Sequence, residues 1–218
     1  MSEFPINKVV DLLEKESVKW DVPVVTLIAI QEKDPFKVLM STIISLRTKD
    51  EVTIEASKRL YKILTKPEDI HNITDKQLEK AIYPCGFYKR KAIQIRKICE
   101  RLIDEFNSIV PKDIDTLLTF DGVGRKTANL VLSEGYSIPA MCVDTHVHRI
   151  SNRFGYVKTK TPDETEFALR EILPKKHWIR YNSLLVAFGQ SLCRPISPHC
   201  TKCPVLQYCK RVDVDKHR

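Results

Sequence analysis

Four of the seven cysteines in this chain, Cys193, Cys200, Cys203 and Cys209, fall within 17 residues in the pattern C-x6-C-x2-C-x5-C. No other feature restricts the fold as much, because four thiols so close in sequence must share one small region. In a reducing compartment such a group reads as a metal site before it reads as disulfides. Four thiolates suit either zinc or a [4Fe–4S] cluster, and the pattern lacks the paired C-x2-C knuckles of zinc ribbons. Cys85, Cys99 and Cys142 stand apart from one another.

The rest of the chain is patterned for helices. Ile6, Val9, Val10 and Leu13 recur at i, i+3, i+4 and i+7, the spacing of one buried helix face. Ile95, Ile98, Cys99, Leu102, Ile103 and Phe106 repeat it, with Arg96, Lys97, Glu100 and Arg101 on the opposite side. Further helices are predicted over 37–46, 51–63, 76–82, 125–134, 145–153 and 163–172. The run VPVVTLIAI (22–30) is the one strand-like segment, and periodicity does not decide it. Helical order is expected to end after Leu184, where Pro195, Pro198 and Pro204 surround the cysteines. At 218 residues the chain can bury a core of one large or two intimate domains. An all-α protein is the expectation. No apolar run approaches the roughly 20 residues of a membrane span, and the N-terminal segment lacks a hydrophobic signal core. An intracellular location is expected, the cytoplasm or nucleoid of a prokaryote.

Chemistry concentrates at residues 113–134, DIDTLLTFDGVGRKTANLVLSE. A short amphipathic helix leads into a turn with Gly122 and Gly124, and a second helix opens at Arg125 or Lys126. Two glycines around one apolar residue permit positive φ and close backbone approach. Val123 is placed to anchor the turn, and the helix start behind it suits an anion such as a DNA phosphate. An ordinary tight turn would read the same way. Lys126 opposes the positive end of the helix dipole at a cost of about a few tenths of a kcal/mol, and taken alone it reads first as a solvated surface lysine. The same field, with Arg125 adjacent, favours a neutral amine able to attack a sugar carbon. Asp144, 18 residues on in CVDTHVHRISNRF (142–154), suits a helix N-cap. It also suits a carboxylate that accepts a proton or shields growing positive charge. The net charge of +8 is compatible with a polyanionic partner.

In GVGRKTA (122–128), VDTH (143–146) and the four spaced cysteines, the chain resembles the endonuclease III family of helix–hairpin–helix DNA glycosylases. The motifs occur in order, and the resemblance runs from about residue 35 to 210. It implies a six-helix barrel subdomain over 28–138 carrying the hairpin. A second helical subdomain of 1–27 and 139–218 would carry a [4Fe–4S] cluster over 193–209. It implies that Lys126 is the Schiff-base nucleophile and Asp144 the catalytic carboxylate. Gly122, Val123, Gly124, Arg125 and Thr127 would then contact DNA. Two positions depart from the family pattern: Asp121 stands where proline is usual, and Arg47 where a base-replacing glutamine is usual. The segment CGFYKRKA (85–92) looks like the family's second DNA-inserting turn, with Phe87 as the wedge.

The function these readings imply is a bifunctional DNA glycosylase and apurinic/apyrimidinic lyase, a monomer acting on double-stranded DNA with oxidised pyrimidines or abasic sites. Within the same fold the rival is a monofunctional glycosylase for adenine or mismatched thymine. From another class, the rival is a non-catalytic hairpin protein that only binds DNA. Lys126 together with Asp144 separates these readings, because binding alone requires neither.

Overall fold

The computed structural model describes residues 4–32 and 34–218, and among these every regular element is helical. Contacts group Val24–Ile138 into one compact unit, and the chain up to Pro23 with Pro139–Arg218 into another.

In the first of these units the centre is α3 (Pro35–Ser45). Phe36 and every residue from Val38 to Ile44 are buried. Its start is well specified: Asp34 accepts from the Phe36 amide at 2.8 Å, and Pro35 occupies the first turn. Around it pack α2 (Val24–Glu32), α4 (Asp50–Leu60), α6 (Tyr88–Phe106), α8 (Arg125–Leu130) and the π turn Val131–Gly135. α5 (Asp75–Ile82) opens on a reciprocal Thr74–Gln77 capping box, and α7 (Ile114–Leu118) is capped by Asp113.

The strand-like run 22–30 is helical from Val24 onward. Val24, Val25, Ile28 and Ala29 are its buried positions, a helical recurrence that alternation would not give. β-Branched residues cost a helix only a few tenths of a kcal/mol each, and packing against α3 outweighs that. The helix predicted over 125–134 is α-helical only as far as Leu130 and then widens into the π turn. That turn seats buried Val131 and Leu132 beside α3.

The second unit comprises α1 (Ile6–Ser17), α9 (Thr145–Phe154), α10 (Pro162–Ile172) and α11 (Trp178–Ser191). Val9, Leu13, Val147, Ile150, Phe154, Tyr181, Leu185 and Phe188 form its core. α11 runs past Leu184 to Ser191, so helical order ends seven residues later than the proline pattern suggested. The stop is local: the amides of Leu192 and Cys193 both donate to the Phe188 carbonyl at 2.9 Å. α9 and α11 approach closely at Gly189, where an added Cβ would lie 2.4 Å from His146 Nδ1 and 3.0 Å from Arg149 Nη2. Among the described residues, no helix is long and apolar enough to cross a membrane.

Candidate functional site

The hairpin turn is held from below by its apolar residues and from the side by α6. Phe120 and Val123 are buried, and the Val123 amide donates to the Phe120 carbonyl at 3.0 Å. Gln94 Nε2 donates to the Asp121 carbonyl at 2.9 Å, and Arg101 donates to the Thr119 carbonyl at 2.7 Å while lying over the Phe120 ring. The polar side of α6 is therefore structural here as well as solvated. Asp121, the departure beside the turn, directs its carboxylate toward Lys97 Nζ at 3.8 Å. An exposed pair at that distance offsets its charge only partly.

The two glycines of the turn stand in different surroundings. Gly122 has φ +70° and packs against Gln94, whose Nε2 would lie 2.5 Å from an added Cβ. Gly124, the N-cap of α8, has φ −92°, and an added Cβ would meet nothing within 4 Å. Nothing in the fold demands glycine at 124, whereas a ligand approaching the backbone there would. Gly122→Ala is therefore expected to destabilise by about 1 kcal/mol or more through left-handed strain. Gly124→Ala should leave the melting temperature nearly unchanged and weaken DNA affinity instead. Thermal melts and a binding titration on both variants check this; equal melting losses would make both glycines structural.

The helical ladder of α8 begins with the Ala128 amide, which donates to the Gly124 carbonyl at 2.9 Å. Arg125 and Lys126, in the first turn, are half-buried. Val123 and Thr127 are buried, Thr127 only 2% exposed, so at these two positions the backbone faces any ligand and the side chains face the core. Lys126 belongs to the Val24–Ile138 unit and Asp144 to the other. Asp144 caps α9, with Oδ1 accepting from the amides of His146 and Val147 at 2.9 Å each. Both bonds fall on one oxygen, Oδ1.

Arg47 and Phe87, 40 residues apart in sequence, meet. The Arg47 guanidinium carbon lies 5.6 Å from the Phe87 ring centroid, both side chains are exposed, and Phe87 is 62% so. Both residues are left-handed, with φ of +52° and +57°, a conformation costly for non-glycine residues and common at functional turns. The two turns are joined: the Gly86 amide donates to Thr48 Oγ1 at 3.1 Å, and a Cβ on Gly86 would lie 2.5 Å from the Arg47 carbonyl oxygen.

Sequence reasoning passed over Lys91. It is 5% exposed, and its ammonium donates to the carbonyls of Ile44 and Leu46 at 2.6 Å each and to Thr48 Oγ1 at 3.0 Å. The signal was available, because Lys91 sits in register with the buried stripe Ile95, Ile98 and Leu102. A lysine on an apolar stripe must find acceptors, and the C-terminal carbonyls of α3 supply them.

The four clustered cysteines line one small cavity of about 20 Å³, bounded also by Arg153, Leu192, His199 and Leu206. Among the described residues, no three His, Cys, Asp or Glu side chains converge as a site for a single metal ion. Burial pushes the Cys203 thiol up to about 12 and raises Cys200 and Cys209 in the same direction. Thiolates here therefore require compensating positive charge. α9 holds the loop: Arg149 Nη2 donates to the Cys193 carbonyl at 2.9 Å. Arg153, itself buried, donates to the carbonyls of Arg194 at 2.7 Å and Pro195 at 2.6 Å.

Residues 40–175 match the family described as HhH-GPD superfamily base excision DNA repair protein. The chain is 44% identical over 180 residues to endonuclease III of Thermotoga maritima, covering 83% of this chain and 84% of that one. It is 41% identical over 184 residues to the chloroplastic endonuclease III homolog 2 of Arabidopsis thaliana, covering 80% of this chain and 47% of that longer protein. The structure of a trapped endonuclease III–DNA covalent intermediate superposes with a TM-score of 0.85 at 33% identity, over 97% of each chain.

Proposed function

This chain belongs to the endonuclease III family of the HhH-GPD base excision DNA repair proteins, and we propose that it excises oxidised pyrimidines and then cleaves the strand through a lysine Schiff base. The observation that carries this reading is Lys126, half-buried in the first turn of α8 behind a glycine turn whose second glycine is open to a ligand. A binding hairpin alone has no use for a nucleophile there.

The damaged nucleotide leaves the helical stack, at a cost of a few kcal/mol in lost pairing and stacking. The backbone at Gly122 and Gly124, with Arg125, holds a phosphate, helped by the helix dipole. The Lys126 Nζ lone pair attacks C1′, and the C1′–N bond breaks with its electron pair leaving on the base. Asp144 Oδ2 shields positive charge on the sugar and accepts the amine's proton. Opening of the sugar ring gives an imine. Loss of the C2′ proton then expels the 3′ phosphate by β-elimination, and water releases the lysine.

Cys193, Cys200, Cys203 and Cys209 fit a [4Fe–4S] cluster, because all four line one cavity and together offer the four sulfur ligands such a group takes. Bound there, it would supply the positive charge that keeps the thiols ionised and would staple the loop. Protein purified with its cofactor should be yellow-brown, with iron and sulfide in equal amounts. Cys203→Ala should lose that colour and loosen the loop, seen as faster proteolysis after residue 191. Colourless protein with stoichiometric zinc would replace the cluster by a mononuclear site.

Phe87 and Arg47 would fill the gap left by the flipped nucleotide. Phe87 wedges between bases, worth about 1–3 kcal/mol by stacking, and Arg47 donates to the orphaned base, favouring guanine. Phe87→Ala is expected to slow excision more than cleavage at a preformed abasic site. Arg47→Ala should flatten the preference for the opposite base. The overall reading is tested by borohydride trapping on two duplexes, one abasic and one with an oxidised pyrimidine. Trapping on both supports it; base release with no trapped complex would instead indicate a monofunctional glycosylase.

A further inference from the structure

We propose that Lys91 is a positioning residue that sets the Arg47–Phe87 pair for reading the base opposite the lesion, acting through Thr48. This rests on the assignment of that pair to the emptied base position.

Two of the three acceptors of the Lys91 ammonium, the Leu46 carbonyl and Thr48 Oγ1, flank Arg47 directly in sequence, and the third is the Ile44 carbonyl. All three ammonium protons are engaged, so the turn that carries Arg47 is gripped on both sides of its left-handed residue. Thr48 Oγ1 then accepts from the Gly86 amide, one residue before Phe87. The chain of contacts runs from Lys91 to Thr48 to Gly86, with Arg47 and Phe87 each one residue from a contact point.

Neither left-handed residue makes this conformation favourable by itself, and each turn tip is exposed. The conformation must be imposed by what surrounds it. Gly86 contributes by close approach, since any side chain there would strike the Arg47 carbonyl oxygen at 2.5 Å. Lys91 contributes by direct charge-assisted bonds, which are stronger and shorter than neutral ones. The charge also lies at the negative end of α3, where a cation is stabilised. A lysine needed only to cap α3 would use the carbonyls; the bond to Thr48 is what extends its reach to the second turn.

The test is single-turnover excision of an oxidised pyrimidine opposite each of the four bases, with cleavage of an abasic duplex, on Lys91→Met, Thr48→Val, Thr48→Ser, Phe87→Ala and Arg47→Ala, each with a melting curve. Lys91→Met and Thr48→Val should slow excision by about tenfold or more and flatten opposite-base preference, with abasic cleavage held within about threefold. Thr48→Ser, which keeps the hydroxyl, should behave as the parent. Equal losses on both substrates, or unchanged discrimination in folded Thr48→Val, would overturn the proposal. Should Lys91→Met not fold, the two Thr48 variants still decide. If Phe87→Ala and Arg47→Ala themselves show no selective effect, the reading of the pair fails; if they do and Thr48→Val does not, only the role of Lys91 fails.

Discussion

Lys126→Ala is expected to eliminate the covalent complex that borohydride traps on an abasic duplex, while DNA affinity stays within about tenfold, roughly 1.4 kcal/mol. The two quantities separate under the proposed mechanism, in which backbone at the hairpin and Arg125 would hold the phosphate, whereas the imine would need one particular amine. Loss of a group that forms the covalent intermediate removes a step outright, and a drop on the order of a thousandfold or more in strand cleavage is the natural size. Folding should be unharmed. Lys126 is half-buried in a first turn where a cation is unfavourable, so alanine should hold or slightly raise the melting temperature. Trapping that persists in the variant would show that another amine does the chemistry. A large loss of affinity would instead make Lys126 a phosphate clamp.

Asp144→Asn is expected to slow base excision by about 10² to 10⁴, the usual contribution of a positioned acid or base. The substitution isolates chemistry from structure. Asparagine is as good an N-cap as aspartate, so its side-chain oxygen can still accept from the His146 and Val147 amides, and stability should change by only a few tenths of a kcal/mol. What disappears is the negative charge on Oδ2. Asp144→Ala removes the cap as well and should cost about 1 kcal/mol in addition. A variant Asp144→Asn with parental excision rates would reduce Asp144 to a cap. Rate measurements under single turnover, paired with melting curves, distinguish the cases.

The parts of the site that were legible in sequence are those whose chemistry is local. The glycine turn, the lysine that opens a helix and the four spaced cysteines are each recognisable within a few residues, and the structure places them as a turn, a first-turn lysine and the lining of one cavity. Asp144 could be read as a cap from its neighbours alone, and the structure places it as one. What could not be read is what depends on packing between distant segments. Residues 22–30 are apolar on every side, so their period was invisible until α3 was there to bury them. α11 presents six consecutive buried residues from Leu184 to Gly189, and such a run carries no amphipathic signature. Arg47 and Phe87 became a pair only through Thr48 and Gly86. Lys91 was legible in principle, as a charge out of place on an apolar stripe, yet its acceptors lie more than 40 residues away.

The left-handed backbone at Arg47 and Phe87 sets these two positions against heat resistance. For residues with a Cβ that conformation costs roughly 1–2 kcal/mol each, and glycine adopts it without strain. A screen of random variants for survival at high temperature, with no demand on activity, would therefore enrich glycine at 47 and 87. The same clones would have lost the guanidinium and the ring. Thermal hardening of this protein should accordingly leave both positions fixed and look to its exposed helix surfaces, where such gains do not compete with the role proposed for the pair.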